Sequence, residues 1–182
     1  MEIIETHIPD LLLIKPKVFG DSRGYFFESY NEQTLSFLEN GERFVQDNQS
    51  LSHKNVVRGL HMQLAPHTQG KFVRAITGAV LDVVVDARKN SPTYGKHFTV
   101  ELSGENNLMM YVPKGFLHGF TTLQDNTIFT YKCTGFYNKA SEITVMWNDP
   151  SLGINWGCEH PIISEKDMYG ISFQEFTERL AV

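Results

Sequence analysis

Hydrophobic positions along the chain come mostly in short runs rich in β-branched and aromatic residues. They fall at residues 56–60, 72–76, 80–85, 98–102, 108–112, 120–123, 128–133 and 143–147. Runs of this length and make-up predict strands. Between them stand Thr77-Gly78, Ser103-Gly104-Glu105-Asn106-Asn107 and Gln124-Asp125-Asn126, residues that accept turn geometry. Helical spacing of apolar positions is confined to residues 34–39 and 173–180, which predict two short helices. Many short strands with close turns predict an all-β architecture, an antiparallel sandwich or barrel with short peripheral helices. Without repeats, low-complexity tracts or a Pro/Gly/Ser linker, residues 1–182 read as a single domain.

Composition narrows this picture. In a chain of 182 residues, 41% hydrophobic residues suffice for a real core, and 13 Phe, 7 Tyr and 2 Trp exclude a disordered polymer. Acidic residues outnumber basic ones, 21 to 16, which argues against a general nucleic-acid binder. The longest apolar run, residues 79–85, is interrupted by Asp82 and is too short to cross a bilayer. The N-terminus carries Glu2, Glu5 and Asp10 rather than a basic region before an apolar stretch, so a cytoplasmic chain is expected. Cys133 and Cys158 read as reduced thiols. No glycine loop of the kind that cradles phosphate is present, so any nucleotide would be held by side chains such as arginine.

Four segments concentrate polar residues in otherwise apolar surroundings: residues 19–28, 46–50, 57–71 and 112–120. In a regular strand over 56–61, Arg58 and His61 point to opposite faces. Both reach one pocket only if the strand bends, and Gly59 is the position where a bulge is cheapest.

Pro113-x-Gly115-x-x-His118 resembles the second motif of cupin barrels, which implies a double-stranded β-helix, or jelly roll. Many cupins bind a metal through two histidines and a glutamate of a first motif together with this histidine. Here that first motif is broken: Gln63 stands two residues after His61, and Lys71 adds a positive charge. Glutamine is a poor transition-metal ligand and a cation repels a divalent ion, so a metal-free site is expected. Proton chemistry fits instead. An imidazole with an ordinary pKa of about 6.5 serves as base, an ammonium stabilises a developing oxyanion, and a phenol such as Tyr131 or Tyr137 supplies an acid. These are the parts needed to move a proton alpha to a carbonyl.

Ordered along nearly the whole chain are Phe19-x-Asp21-x-Arg23-Gly24-x-Phe26-x-Glu28, Gln46-x-Asn48-x-Ser50, Arg58-Gly59-Leu60-His61-x-Gln63, Val85-Asp86-x-Arg88, Ser91-Pro92-Thr93, His118-Gly119-Phe120, Trp147-Asn148-Asp149-Pro150 and Ser164-Glu165-Lys166-Asp167. In these motifs the chain resembles the dTDP-4-dehydrorhamnose 3,5-epimerases, cupin-fold enzymes. The resemblance implies epimerisation of a dTDP-4-keto-6-deoxy sugar at C3 and C5, without a cofactor. It makes His61 the base, Lys71 the enolate stabiliser and Tyr131 the acid on the opposite face. Asp167 would orient His61, with Asp82 as a rival for that role. Nucleotide and substrate contacts map onto Arg23, Phe26, Glu28, Gln46, Asn48, Arg58, Lys71, His118, Tyr137, Glu142 and Lys166. The segment with Arg23, Phe26 and Glu28 would come from a neighbouring subunit, implying a homodimer. Leu117, where the family commonly has alanine, is expected to narrow the pocket around His118.

Three other readings stay open: an epimerase of C3 alone or of another nucleotide-linked keto sugar, a non-catalytic sugar-nucleotide-binding cupin, and a metal-dependent cupin oxygenase. Taken singly, the residues read more blandly. His61 would be a structural histidine, Lys71 a solvated edge charge, Tyr131 a core aromatic, and Arg23 with Asp21 a surface ion pair. Trp147 and Trp156 read as packing, and His7, His53, His67, His97 and His160 as surface or loop positions.

Overall fold

The computed structural model describes residues 1–41 and 43–180. The first strands are β1 (Glu2–Glu5), β2 (Leu12–Lys15), β3 (Phe19–Asp21), β4 (Gly24–Phe26) and β5 (Gln46–Ser52). The central part of the chain forms β6 (Val56–Gln63), β7 (Lys71–Thr77), β8 (Ala79–Asp86), β9 (His97–Ser103) and β10 (Met109–Val112). There follow β11 (Phe116–Thr122), β12 (Thr127–Cys133), β13 (Glu142–Thr144), β14 (Ile162–Ile163) and the helices α1 (Glu165–Met168) and α2 (Phe173–Arg179).

One sheet has the order β1-β2-β10-β7-β12-β5, and the second runs β13-β6-β11-β8-β9 with β14 joined to β6. Pairing is antiparallel in both sheets except for β14, which lies parallel to β6. β3 and β4 form a separate hairpin. Interleaved strand order in two antiparallel sheets is the jelly-roll solution to burying two apolar faces against each other.

The main core lies where the sheets meet. Val73, Ala75 and Phe129 of the first sheet pack with Val80, Val84, Leu102 and Phe120 of the second. The other face of the second sheet, with Val57, Leu60, Met62, Val83, Val85 and Leu117, is covered by Trp156 and by Phe176 of α2. The other face of the first sheet packs Ile14, Phe72 and Met109 with Leu35 and Leu38. Truncating a buried Phe of this kind costs about 3–5 kcal/mol, so Phe129, 1% exposed, is a principal clamp between the sheets.

All eight expected runs lie on β6 to β13, and the expected turns are present, with Gly78 and Asn126 at positive φ. The last run is shorter than its pattern: β13 ends at Thr144, and Val145 bridges to Ile171. The helix at 173–180 is present as α2, capped by Ser172 Oγ accepting from the Glu175 amide. The helix expected at 34–39 is not. There Asn31 Oδ1 accepts from the amides of Gln33 and Thr34, and the chain runs through turns into a 3-10 helix, Leu38–Gly41. The i, i+3 spacing of Leu35 and Leu38 buries both without an α-helix. His97, expected at a surface or loop position, sits half-buried in β9.

Candidate active site

The two sheets are apolar where they enclose the core and polar at one end. Across the first sheet, β5, β12 and β7 align Gln46 with Cys133 and Lys71, and Asn48 with Tyr131 and Val73. Cross-strand partners share a face, so these rows present amide, thiol, ammonium and phenol to the same side. The second sheet answers through β6 and β11, where His61 stands opposite His118 and Arg58 opposite Phe120.

Between those two pairings β6 takes three steps where β11 takes two, so the register shifts by one residue. Gly59 absorbs the shift at φ +128°, a conformation that a side chain opposes, and a Cβ there would lie 2.6 Å from Gly119 Cα. The bulge resolves the parity problem. Val57, Leu60 and Met62 go to the apolar face under Trp156, and Arg58 and His61 both line the cavity. That cavity holds about 390 Å³ and is bounded by Arg58, His61, Lys71, His118, Tyr131 and Glu142, among others.

Two histidine–carboxylate pairs present their imidazoles to it. His61 Nε2 lies 2.5 Å from Asp167 Oδ1, and Asp167 Oδ2 accepts from the Gly59 amide at 3.3 Å. Asp167 arrives on α1, whose N-cap Ser164 accepts from the Asp167 amide. Burial works against its charge, but His61, the Gly59 amide and Ser164 outweigh burial and hold its pKa below the ordinary value. With Nε2–H donating to the ionised Asp167, the lone pair of a neutral His61 is on Nδ1. The second pair is His118 Nε2 with Asp82, at 2.8 and 3.1 Å to the two oxygens. Asp82 is fully buried, and that burial raises its pKa despite His118 and Lys71.

Lys71 keeps part of its surface open to the cavity, yet its surroundings lower its pKa: burial dominates, opposed by Cys133, Asp82 and Glu142. Tyr131 is pushed up, first by burial, and so stays a neutral proton donor at neutral pH. Glu142 Oε1 meets Lys166 Nζ at 2.6 Å, and its Oε2 accepts from the Tyr137 hydroxyl at 2.9 Å. Burial opposes the Glu142 charge, but these two partners and His61 bring its pKa below the ordinary range. Among the described residues no three His, Cys, Asp or Glu side chains converge as a metal-ligand set. Base, cation and phenol around one water-accessible cavity can deprotonate a carbon beside a carbonyl, hold the enolate and reprotonate it.

The model of the dTDP-4-dehydrorhamnose 3,5-epimerase family matches residues 5–175. The chain belongs to that family. It is 51% identical to the dTDP-4-dehydrorhamnose 3,5-epimerase of Salmonella typhimurium over 169 residues, 92% of each chain. To that of Shigella flexneri it is 48% identical over 174 residues, 95% of this chain and 96% of the relative. The crystal structure of the Legionella pneumophila enzyme in complex with dTDP-4-keto-L-rhamnose matches with a TM-score of 0.93 and 44% identity, covering 98% of this chain and 96% of that one. These epimerases share the cupin-type β-sandwich, which this chain adopts.

Of the residues that the family motifs single out, His61, Lys71, Tyr131, Asp167, Arg58, His118, Tyr137, Glu142 and Lys166 line the one cavity. Gln46 and Asn48 border an adjoining hollow that shares His61, Lys71 and Tyr131 with it. Arg23, Phe26 and Glu28 do not reach it. Arg23 pairs with Asp21 on the β3–β4 hairpin at 2.5 Å with 88% of its side chain exposed, Phe26 is 69% exposed, and Glu28 accepts from Asn31. The carboxylate beside His61 is Asp167, and the rival Asp82 belongs to His118. Leu117 does not narrow the pocket: it lies on the opposite face of β11 from His118, in the core under Trp156. The His118–Asp82 pairing was missed, although a carboxylate inside the apolar run of β8 already required a buried partner.

Proposed function

We propose that this chain epimerises C3 and C5 of dTDP-4-dehydro-6-deoxy-D-glucose, giving dTDP-4-dehydro-L-rhamnose, with no cofactor. The observation that carries the reading is the His61–Asp167 contact inside a cavity walled on the facing sheet by Lys71 and Tyr131. His61 takes the proton alpha to the 4-keto group, and Asp167 stabilises the imidazolium so formed. The Lys71 ammonium stabilises the enolate oxygen. Tyr131, on the opposite sheet from His61, returns a proton to the other side of the carbon, and that change of face is what inverts the centre.

Arg58 and His118 hold the substrate from the second sheet, and Gln46, Asn48, Tyr137, Glu142 and Lys166 from the rim. Arg23, Phe26 and Glu28 act on a second copy of the chain. In support, the hairpin exposes Phe19, Tyr25 and Phe26 together, an apolar surface suited to cover by a partner in a homodimer. The whole activity belongs to one domain over residues 1–182, working in the cytoplasm. Among the described residues no helix is long and apolar enough to cross a membrane.

The test is solvent exchange. Incubated with dTDP-4-dehydro-6-deoxy-D-glucose in D2O, the purified chain should introduce deuterium at C3 and C5, read by NMR of the sugar. Label at C3 alone would make it a 3-epimerase, and label at neither would overturn the reading.

A further inference from the structure

The segment after β12 is held by glutamines at four consecutive backbone positions. Gln69 Nε2 donates to Gly135 O at 2.5 Å, and Gln63 Nε2 donates to Phe136 O at 3.3 Å. Gln46 Oε1 accepts from the Tyr137 amide at 2.9 Å, and Gln63 Oε1 accepts from the Asn138 amide at 2.6 Å. Gln63 Nε2 also donates to His67 O at 2.6 Å, so this one amide ties two loops together. A carboxamide suits the task because it donates and accepts at once without charge.

Gln63 is 6% exposed and lies at the end of β6, two residues beyond His61, where it pairs across strands with Glu142. The segment it grips carries Tyr137, which is 54% exposed and lines the cavity. A side chain so open has little packing to fix it. Its position depends on its backbone and on the hydrogen bond from its hydroxyl to Glu142. Glu142 in turn holds Lys166, next to Asp167 on α1.

We propose that Gln63 is a positioning residue: by fixing residues 136–138 it sets Tyr137 as the cavity's outer wall over the bound dTDP-sugar. The inference rests on the epimerase reading above. The residue that stands where metal-binding cupins place a ligand here organises a wall, while His61 on the same strand does the chemistry.

The test is a double-mutant cycle of Gln63→Met and Tyr137→Ala, read as KM and as the dissociation constant of dTDP by calorimetry, with melting temperature as the control for folding. Each single change should raise KM and weaken dTDP by about tenfold with kcat within about twofold, the signature of lost binding rather than lost chemistry. The double variant should be no worse than the worse single, because both remove one wall. Multiplying effects, or an unchanged KM in Gln63→Met, would overturn the proposal. If Gln63→Met fails to fold, Gln63→Glu carries the cycle: it keeps the acceptor for Asn138 and loses both donations. A wild-type chain that exchanged no deuterium would overturn the epimerase reading itself, a result that needs no variant.

Discussion

Two histidine–carboxylate pairs turn an imidazole toward the cavity, and their carboxylates are shifted in opposite directions. Asp167 reaches His61 from a short helix added after the sheets. It keeps its charge cheaply, because the Gly59 amide and Ser164 join His61 in solvating it. Asp82 is built into β8 between apolar residues and is fully buried; desolvation outweighs His118, Lys71 and the Val83 amide, and its pKa rises. Desolvation penalises both carboxylates; at Asp82, the more deeply buried, it prevails over the favourable partners, and at Asp167 the partners prevail. A carboxylate that stays ionised suits the proposed role of His61, an imidazole that gains and loses a proton each turnover. A carboxylate pushed toward neutrality suits a histidine that holds one orientation.

The largest expected effect separates the two imidazoles. His61→Ala should lower kcat by at least about 100-fold, as loss of a general base does, and abolish deuterium entry at both carbons. His118→Ala should act mainly on KM, by about tenfold, and leave exchange detectable. Equal losses of kcat in steady-state assays would erase the distinction between the pairs.

Asp167→Asn should come next, lowering kcat by about ten- to 100-fold, because the amide no longer favours the Nε2 proton and the imidazolium loses its counter-charge. Asp82→Asn should change kcat by less than about threefold, since a neutral amide still bonds His118. Tyr131, the proposed acid on the facing sheet, sharpens the contrast further. Tyr131→Phe should spare proton removal and impair its return, so exchange at C3 survives while net epimerisation falls. A parallel loss of both would remove Tyr131 from that role.

High pH tests the cation. Burial lowers the Lys71 pKa and raises that of Tyr131, so the ammonium is lost first as pH rises. The alkaline limb of kcat/KM should therefore lie below the ordinary lysine value of about 10.4, and Tyr131→Phe should leave it in place. A limb that vanishes in Tyr131→Phe would assign it to the phenol instead.

What the sequence disclosed and what it hid follow from the same physics. β6 to β12 were legible because each has a face in an apolar core, which enforces a hydrophobic pattern. β5, Gln46–Ser52, was invisible as a strand because its inward residues Gln46, Asn48 and Ser50 face the polar end of the sandwich, so polar alternates with polar. This one strand of the site thus carries no hydrophobic signature, and its polar run and the family motif marked it as a segment of interest without marking it as a strand. Parity in β6 pointed to a bend at Gly59 without fixing the register, which depends on the close approach of Gly119 from another strand. The assignment of Asp167 to His61 and Asp82 to His118 spans 106 and 36 residues of chain, a choice that local pattern does not encode.

The smallest expected effect is on stability, and its sign is the sharpest measure of the contrast. Asp167 has a lowered pKa in the fold, so its contribution is fully present above the unfolded carboxyl value of about 3.9 and is lost as pH falls through the folded value. Asp82 has a raised pKa, so the folded chain binds its proton more tightly, and stability falls as pH rises from about 3.9 through the folded value. Asp167→Asn should then cost about 1.5–3 kcal/mol at neutral pH, the worth of a hydrogen bond to a charged group, and nothing in acid. Asp82→Asn should be neutral to stabilising at neutral pH, with its advantage shrinking as pH falls toward about 4. Urea unfolding of both variants between those limits should give differences from wild type that run in opposite directions with pH. Differences that run the same way would mean that donors, not burial, set both carboxylates, and that the second pair is ionised like the first.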